Sequence, residues 1–293
     1  MPFHDGLPEI LPPSEDGVFQ TIFTKEGAKP ALLELLSDIL GRPLRDVTIR
    51  NSEPPISDID AKREVFDINC VAHDDNSQMD IEMQATPMRH DTIASEHKHI
   101  RDRAVLNLSD LHALQPGRGV PYADFYNSYQ ITICNYNVFN WDNELAERFT
   151  YRNERGQQLS DIATAIFVDL TQAKKIVKKQ VADMTAVEQW VVFLTKANDP
   201  RYRKAIKEIL RGKGGISVAY EMLTSISTDE NERARFRSRR IWQRDREYEI
   251  GFINSNWEKI VADKDKSLAD KDKSIADKDA MIAELRAKLD ERS

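Results

Sequence analysis

The chain has 293 residues, 40% of them hydrophobic, with two cysteines and a formal net charge of -7, enough apolar material for one large core or a core with appendages. This composition excludes a disordered chain, a disulfide framework and a cysteine-rich zinc module, and no apolar run reaches membrane-spanning length. The start, MPFHDGLPEILPPSEDG, lacks the basic start and apolar core of a secretory signal, so a cytoplasmic location is expected. The charge is uneven: residues 1–100 hold 9 Lys and Arg against 19 Asp and Glu, whereas 201–246 hold 13 against 6. A basic back half leaves a nucleic-acid ligand compatible with an acidic total, because phosphates respond to local fields.

In chain order, KPALLELLSDILG (29–41) repeats Leu and Ile at helical spacing and stops on a glycine with Pro43 beyond, the pattern of a terminated helix. RDVTIRNSE (45–53) and REVFDINCVA (63–72) read as strands separated by the Pro54-Pro55 loop, and HDDNS (73–77) is a turn leading into a third strand, SQMDIEMQ (77–84). A helix is expected from Asp91 to about Leu114, a strand over 126–136, a polar loop, then a strand over 164–170. Beyond Thr171 the pattern is helical, and the order predicts a mixed sheet with helices packed on it.

The end of the chain carries a tandem heptad, DKDKSLA, DKDKSIA, DKDAMIA (263–283). Leu268, Ile275, Ile282 and Leu289 fall seven apart, but the companion seam positions are Lys264, Lys271, Lys278 and only then Leu285. Such a half-built seam fits either a single solvated helix held by Asp and Lys pairs or a coiled coil joining subunits. The strict apolar repeat favours self-association.

Strand side chains alternate faces, so Asp80, Glu82 and Gln84 share one face while Met79, Ile81 and Met83 take the other. In the strand before, Asp67 and Asn69 share a face. With an even connecting loop Asp67 joins the face of Glu82, and a two-residue loop at Asp74-Asp75 sets the two directly opposite. Like charges across a ladder repel unless a cation sits between them, and a hard divalent ion suits that role.

The pattern of Asp67, a turn and Glu82-Met83-Gln84 resembles the PD-(D/E)xK nuclease core in its variant with glutamine at the lysine position. More closely, DGVFQTIF (16–23), LLELLSDILG (32–41), DAKREVFDINCVAHDDNSQMDIEMQ (60–84), RDRAVLNLSDL (101–111) and GRGVPYADFYNSYQITICNY (117–136) resemble the Rpn family of recombination-promoting nucleases, or putative transposases. The resemblance covers roughly residues 16–250. It implies an α/β fold with a PD-(D/E)xK nuclease-like core, a mixed central sheet flanked by helices (16–180), followed by a helical region (181–256); an N-terminal extension (1–15) and the heptad-repeat tail (257–293) lie outside the resemblance.

It further implies a metal-dependent endodeoxyribonuclease linked to recombination or mobile elements, acting on DNA with Mg²⁺ or Mn²⁺. Asp67 and Glu82 would be the metal ligands and Gln84 the occupant of the lysine position; Lys62 and Glu64 match polar residues flanking the first strand. Gln84 carries no positive charge, and Lys62 is the expected source of it. Asp80 reads as a solubilising neighbour. The family pattern usually has lysine where this chain has Gln20.

His90, His97 and His99 match no zinc spacing and read as surface residues. Arg101 and Arg103 either hold a phosphate or pair with Asp102 or Glu96. The arginines from 233 to 246, among them Arg235 and Arg239, with Phe236 and Trp242 interleaved, form either a nucleic-acid contact or a charged helix face. Two functions therefore stand: a metal-dependent DNA endonuclease, or a catalytically inactive nuclease-fold scaffold that binds DNA or protein and oligomerises through its tail.

Overall fold

A computed structural model describes residues 10–51, 68–85, 93–113, 115, 121, 124–139, 141–142 and 144–290. Lys62, Glu64, Asp67, His90, the Pro54-Pro55 loop and the first half of the strand expected over 63–72 lie outside the described residues. Two compact units divide the chain, Met1–Phe236 and Arg237–Ser293. Among the described residues no helix is long and apolar enough to cross a membrane.

In the first unit, helix α1 (Asp16–Thr24) buries Val18, Phe19, Ile22 and Phe23, one stripe of its surface. Helix α2 (Lys29–Leu40) buries Ala31, Leu32, Leu35, Leu36 and Ile39 and ends where Gly41, at φ 70°, caps Ser37 through its N–H. Glycine reaches that left-handed conformation without steric cost. The strands follow: β1 (Val47–Asn51), β2 (Ile68–Ala72) and β3 (Gln78–Gln84), then helix α3 (Ile93–Ala113), β4 (Ser128–Cys134), β5 (Ala146–Arg152) and β6 (Gln158–Asp169). The short α4 (Ala173–Ile176) leads to α5 (Ala186–Lys196), α6 (Arg203–Gly212), α7 (Gly214–Thr228) and α8 (Glu230–Asp290).

The six strands form one mixed sheet in the order β1-β2-β3-β4-β6-β5. β3 lies parallel to β4 and β4 to β6, while β1–β2, β2–β3 and β5–β6 are antiparallel. Parallel neighbours need a crossover, and α3 is that crossover between β3 and β4.

One face of the sheet offers Ile68, Met79, Ile81, Met83, Ile131, Ile133, Ile166 and Val168 to a core shared with α1, α2, α5 and α7. Trp190 sits fully inside it, edge-on to Phe193 with centroids 5.9 Å apart, and its indole N–H donates to Asp38 at 2.9 Å. A smaller core under α3 unites Ile100, Ala104 and Leu108 with Cys134, Ala163, Ala165 and Phe167 on the opposite face. With both faces covered, the central strands read as buried throughout.

The segment expected to be a polar loop before residue 164 is instead the β5–β6 hairpin, turning at Gly156 with φ 77°. Most of β5 and the first residues of β6 are exposed or half-buried. Backbone pairing along the edge holds that ribbon, so it carries little apolar alternation. In the second unit α8 continues as a helix whose described side chains are nearly all exposed.

Candidate active site

The hairpin of β2 and β3 begins the site. His73, Asp74 and Asp75 make the turn, Asn76 adopts φ 54°, and Ala72 N–H donates to Ser77 O at 3.0 Å. Asparagine tolerates that left-handed conformation better than most residues. Arg42 holds the turn from outside, pairing with Asp75 at 2.7 Å and donating to Ser77 Oγ at 3.1 Å. The resulting register sets Ile68 opposite Ile81, Asn69 opposite Asp80, Cys70 opposite Met79 and Val71 opposite Gln78.

That register puts Gln78, Asp80, Glu82 and Gln84 on the face beneath α3, beside Ser128, Gln130, Thr132 and Cys134 of β4. A solvated face would leave such a row exposed, yet every residue of β3 is buried. Asp80 is 4% exposed and Glu82 7%, so the reading of Asp80 as a solubilising residue is corrected: it lies under α3, out of bulk water. Alternation of apolar and polar residues is the same whether a helix or water covers the polar face.

Glu82 is the hub. Gln84 Nε2 donates to Glu82 Oε1 at 2.7 Å, and the guanidinium of Arg103, on α3, forms an ion pair with the same oxygen. A buried carboxylate needs such partners, because desolvation otherwise penalises its charge heavily. Of the roles expected for Arg103, the partner shown is therefore the carboxylate of Glu82. Asp102 instead pairs with Lys98 one turn away.

The end of β3 is tethered as well, since Ala85 N–H donates to Asp16 Oδ1 at 3.0 Å, across from the start of α1. Alongside Glu82, the amide of Gln130 and the hydroxyl of Thr132 are buried and find no hydrogen-bond partner among the described residues. Groups of that kind are normally satisfied by protein, water or a ligand, and these two border the carboxylate row. Sequence reading missed Gln130 and Thr132. Their signal, polar residues at alternate positions of an otherwise apolar strand, was present in SYQITIC.

Among the described residues no cluster of three histidine, cysteine or acidic side chains is poised to hold a metal ion. The donor chemistry nevertheless suits a hard divalent ion: Asp80 and Glu82 supply buried carboxylate oxygens, the ligands Mg²⁺ and Mn²⁺ prefer. Cys134 lies on this face and Cys70 on the opposite one, within the main core. Burial, reinforced by the charge of Asp80, pushes the Cys70 thiol up to about 12, and burial likewise raises Cys134. Both thiols stay protonated at neutral pH and pack as small core residues.

The remaining candidates are dispersed. His97 is half-buried and His99 exposed on α3. Arg101 is partly buried, two residues before Arg103. Arg235 lies 3.7 Å from Glu232 one turn earlier on α8. Phe236, expected as an aromatic interleaved with arginines, is 2% exposed and belongs to the core, so it offers no stacking surface. Arg239 is partly buried and Trp242 exposed, both in the second unit.

A family model described as PD-(D/E)XK nuclease family transposase matches residues 13–251. No curated protein and no solved structure matches the chain.

Proposed function

The chain belongs to the PD-(D/E)XK nuclease family transposases, and from that membership we propose that it is a metal-dependent endonuclease that hydrolyses DNA phosphodiesters in the service of element mobility or recombination. The observation carrying this reading is Glu82, a buried carboxylate gripped by Gln84 and Arg103 on a polar sheet face. A structural core gains nothing from such a row, since apolar residues of similar volume fill space at less cost.

In this proposal the family's two carboxylates are Asp67, next in sequence to Ile68, and Glu82. Those two carboxylates would hold Mg²⁺ or Mn²⁺, an ion that lowers the pKa of a bound water and stabilises charge developing on phosphate. Gln84 orients Glu82 through its amide. Arg103 takes the part that the family's lysine plays, because Gln84 has no charge to offer and the guanidinium fork matches phosphate oxygens. Lys62 would add a second cation. Hydrolysis adds one water across a P–O bond and leaves a phosphomonoester and a hydroxyl.

The second reading, a scaffold that binds DNA without cutting it, is favoured by one observation: Glu82 Oε1 is already occupied by two donors. A plasmid-nicking assay with Mg²⁺, with Mn²⁺ and with EDTA separates the two. Metal-dependent nicking that disappears in Asp67→Ala and in Glu82→Ala supports the enzyme. Nicking that survives both substitutions refutes the site, and binding without nicking in any metal supports the scaffold.

A further inference from the structure

The charges of the heptad tail fall into two families. Asp263, Lys266, Asp270, Lys273 and Asp277 succeed one another at spacings of three or four residues, an unbroken ladder of neighbours along one face of a helix. Lys264, Lys271 and Lys278 have no carboxylate three or four residues away on either side; their neighbours at those spacings are Ile, Val, Leu, Met and Ser. Asp265, Asp272 and Asp279 in turn have no cation at those spacings, only Val, Leu, Ile and Ala. Six charges are thus left without a partner on their own helix, and all six flank the apolar seam.

The seam itself is uncovered within the unit. Val261, Leu268, Ile275 and Ile282 are 52%, 56%, 56% and 47% exposed on α8. A strict seven-residue spacing drifts around a straight helix by roughly 20° per heptad, so it serves a supercoiled partner better than a lone solvated helix. With Val261 and its successors at position a, the unpaired lysines occupy d and the unpaired aspartates e. In a parallel pair in register, a residue at d packs into a hole that includes e of the facing helix. The parallel arrangement also brings d near d of the facing helix, lysine near lysine, a repulsion that the aspartates at e offset, whereas an antiparallel pair sets e against e, aspartate against aspartate.

We infer that the tail joins two copies of this chain as a parallel, in-register coiled coil, in which Lys264, Lys271 and Lys278 of each copy pair with Asp265, Asp272 and Asp279 of the other. The lysine stems cover the seam while their ammonium groups reach the rim. Charges at d specify partner and register at a cost in stability.

The full chain is expected to show twice its single-chain mass of 33.7 kDa by sedimentation, falling to the single-chain value when residues 262–293 are removed. The triple variants K264E/K271E/K278E and D265K/D272K/D279K each put like charges at d and e', so each alone is expected to be monomeric. An equimolar mixture of the two restores opposite charges and is expected to dimerise. Ile275→Cys is expected to form a disulfide between copies on oxidation, Cys70 and Cys134 being buried. Helical content by circular dichroism shows that each variant is folded. A monomeric full chain, an oligomer that survives tail removal, a mixture that stays monomeric, or no cross-link at residue 275 overturns the proposal.

Discussion

Arg103, on the crossover helix, and Gln84, two residues beyond Glu82 on β3, converge on one oxygen, Glu82 Oε1. The arrangement ties α3 to the sheet through charge as well as through the small core of Ile100, Ala104 and Leu108. It also explains how a carboxylate persists under a helix. The guanidinium offsets the desolvation that burial imposes.

Arg103→Ala leaves Glu82 charged and buried with one amide for company. Breaking a buried pair costs about 3–5 kcal/mol, and since the Arg103 side chain is 26% exposed the lower end is expected. Arg103→Ala combined with Glu82→Gln should recover most of that loss, because the second change removes the stranded charge. Urea unfolding of the two single variants and the double variant measures the coupling; simple additivity would show that the pair contributes nothing.

Gln84→Met keeps the side-chain length and removes the donor to Glu82. One hydrogen bond to a charged acceptor contributes about 1.5–3 kcal/mol of stability, so the variant should be destabilised by about that amount, and metal-dependent nicking should slow by roughly 10-fold or more. Equal rates in the variant and the parent chain would remove Gln84 from the proposed site.

Gly215 lies where α7 crosses α2, and its N–H donates to Glu34 Oε2. A Cβ at this position would lie 2.6 Å from Cβ of Glu34 and 3.0 Å from the carbonyl oxygen of Pro30. Gly215→Ala should therefore destabilise the first unit by about 1–3 kcal/mol, the usual cost of overpacking, despite alanine's better helix propensity. A thermal melt above that of the parent chain would mean that the two helices separate freely.

Glu188 opens α5 in a capping box: Thr185 N–H donates to its Oε2 at 2.8 Å, and Glu188 N–H donates to Thr185 Oγ1 at 3.2 Å. Burial raises the Glu188 carboxyl, but hydrogen bonds from Lys179 and Thr185 outweigh it and hold the group below its ordinary value. A depressed folded value means that the stabilisation is complete above the unfolded glutamate range and is lost as pH falls through the folded value. Glu188→Gln should flatten stability against pH in that acidic window and leave its slope near neutrality unchanged. Thr185→Ala should cost about 1 kcal/mol near neutral pH.

How much was legible beforehand differs by element. The Gly41 stop of α2, the hairpin turn at His73–Ser77 and the face shared by Asp80, Glu82 and Gln84 follow from local chemistry and strand alternation. The β5–β6 ribbon was not legible, because an edge hairpin is held by main-chain pairing that leaves no hydrophobic signature. Nor was the fate of Phe236. A residue among arginines reads as surface until the packing of the first unit buries it.

The sequence by itself determined which residues share a strand face, where helices stop, and the heptad spacing of the tail, since each depends on neighbours a few positions away. Only the tertiary structure decided that the polar face of β3 is buried rather than wet, and that Arg103 is the cation at Glu82. Both depend on where α3 crosses the sheet, and that is set by the summed burial of two cores on opposite faces rather than by any local pattern.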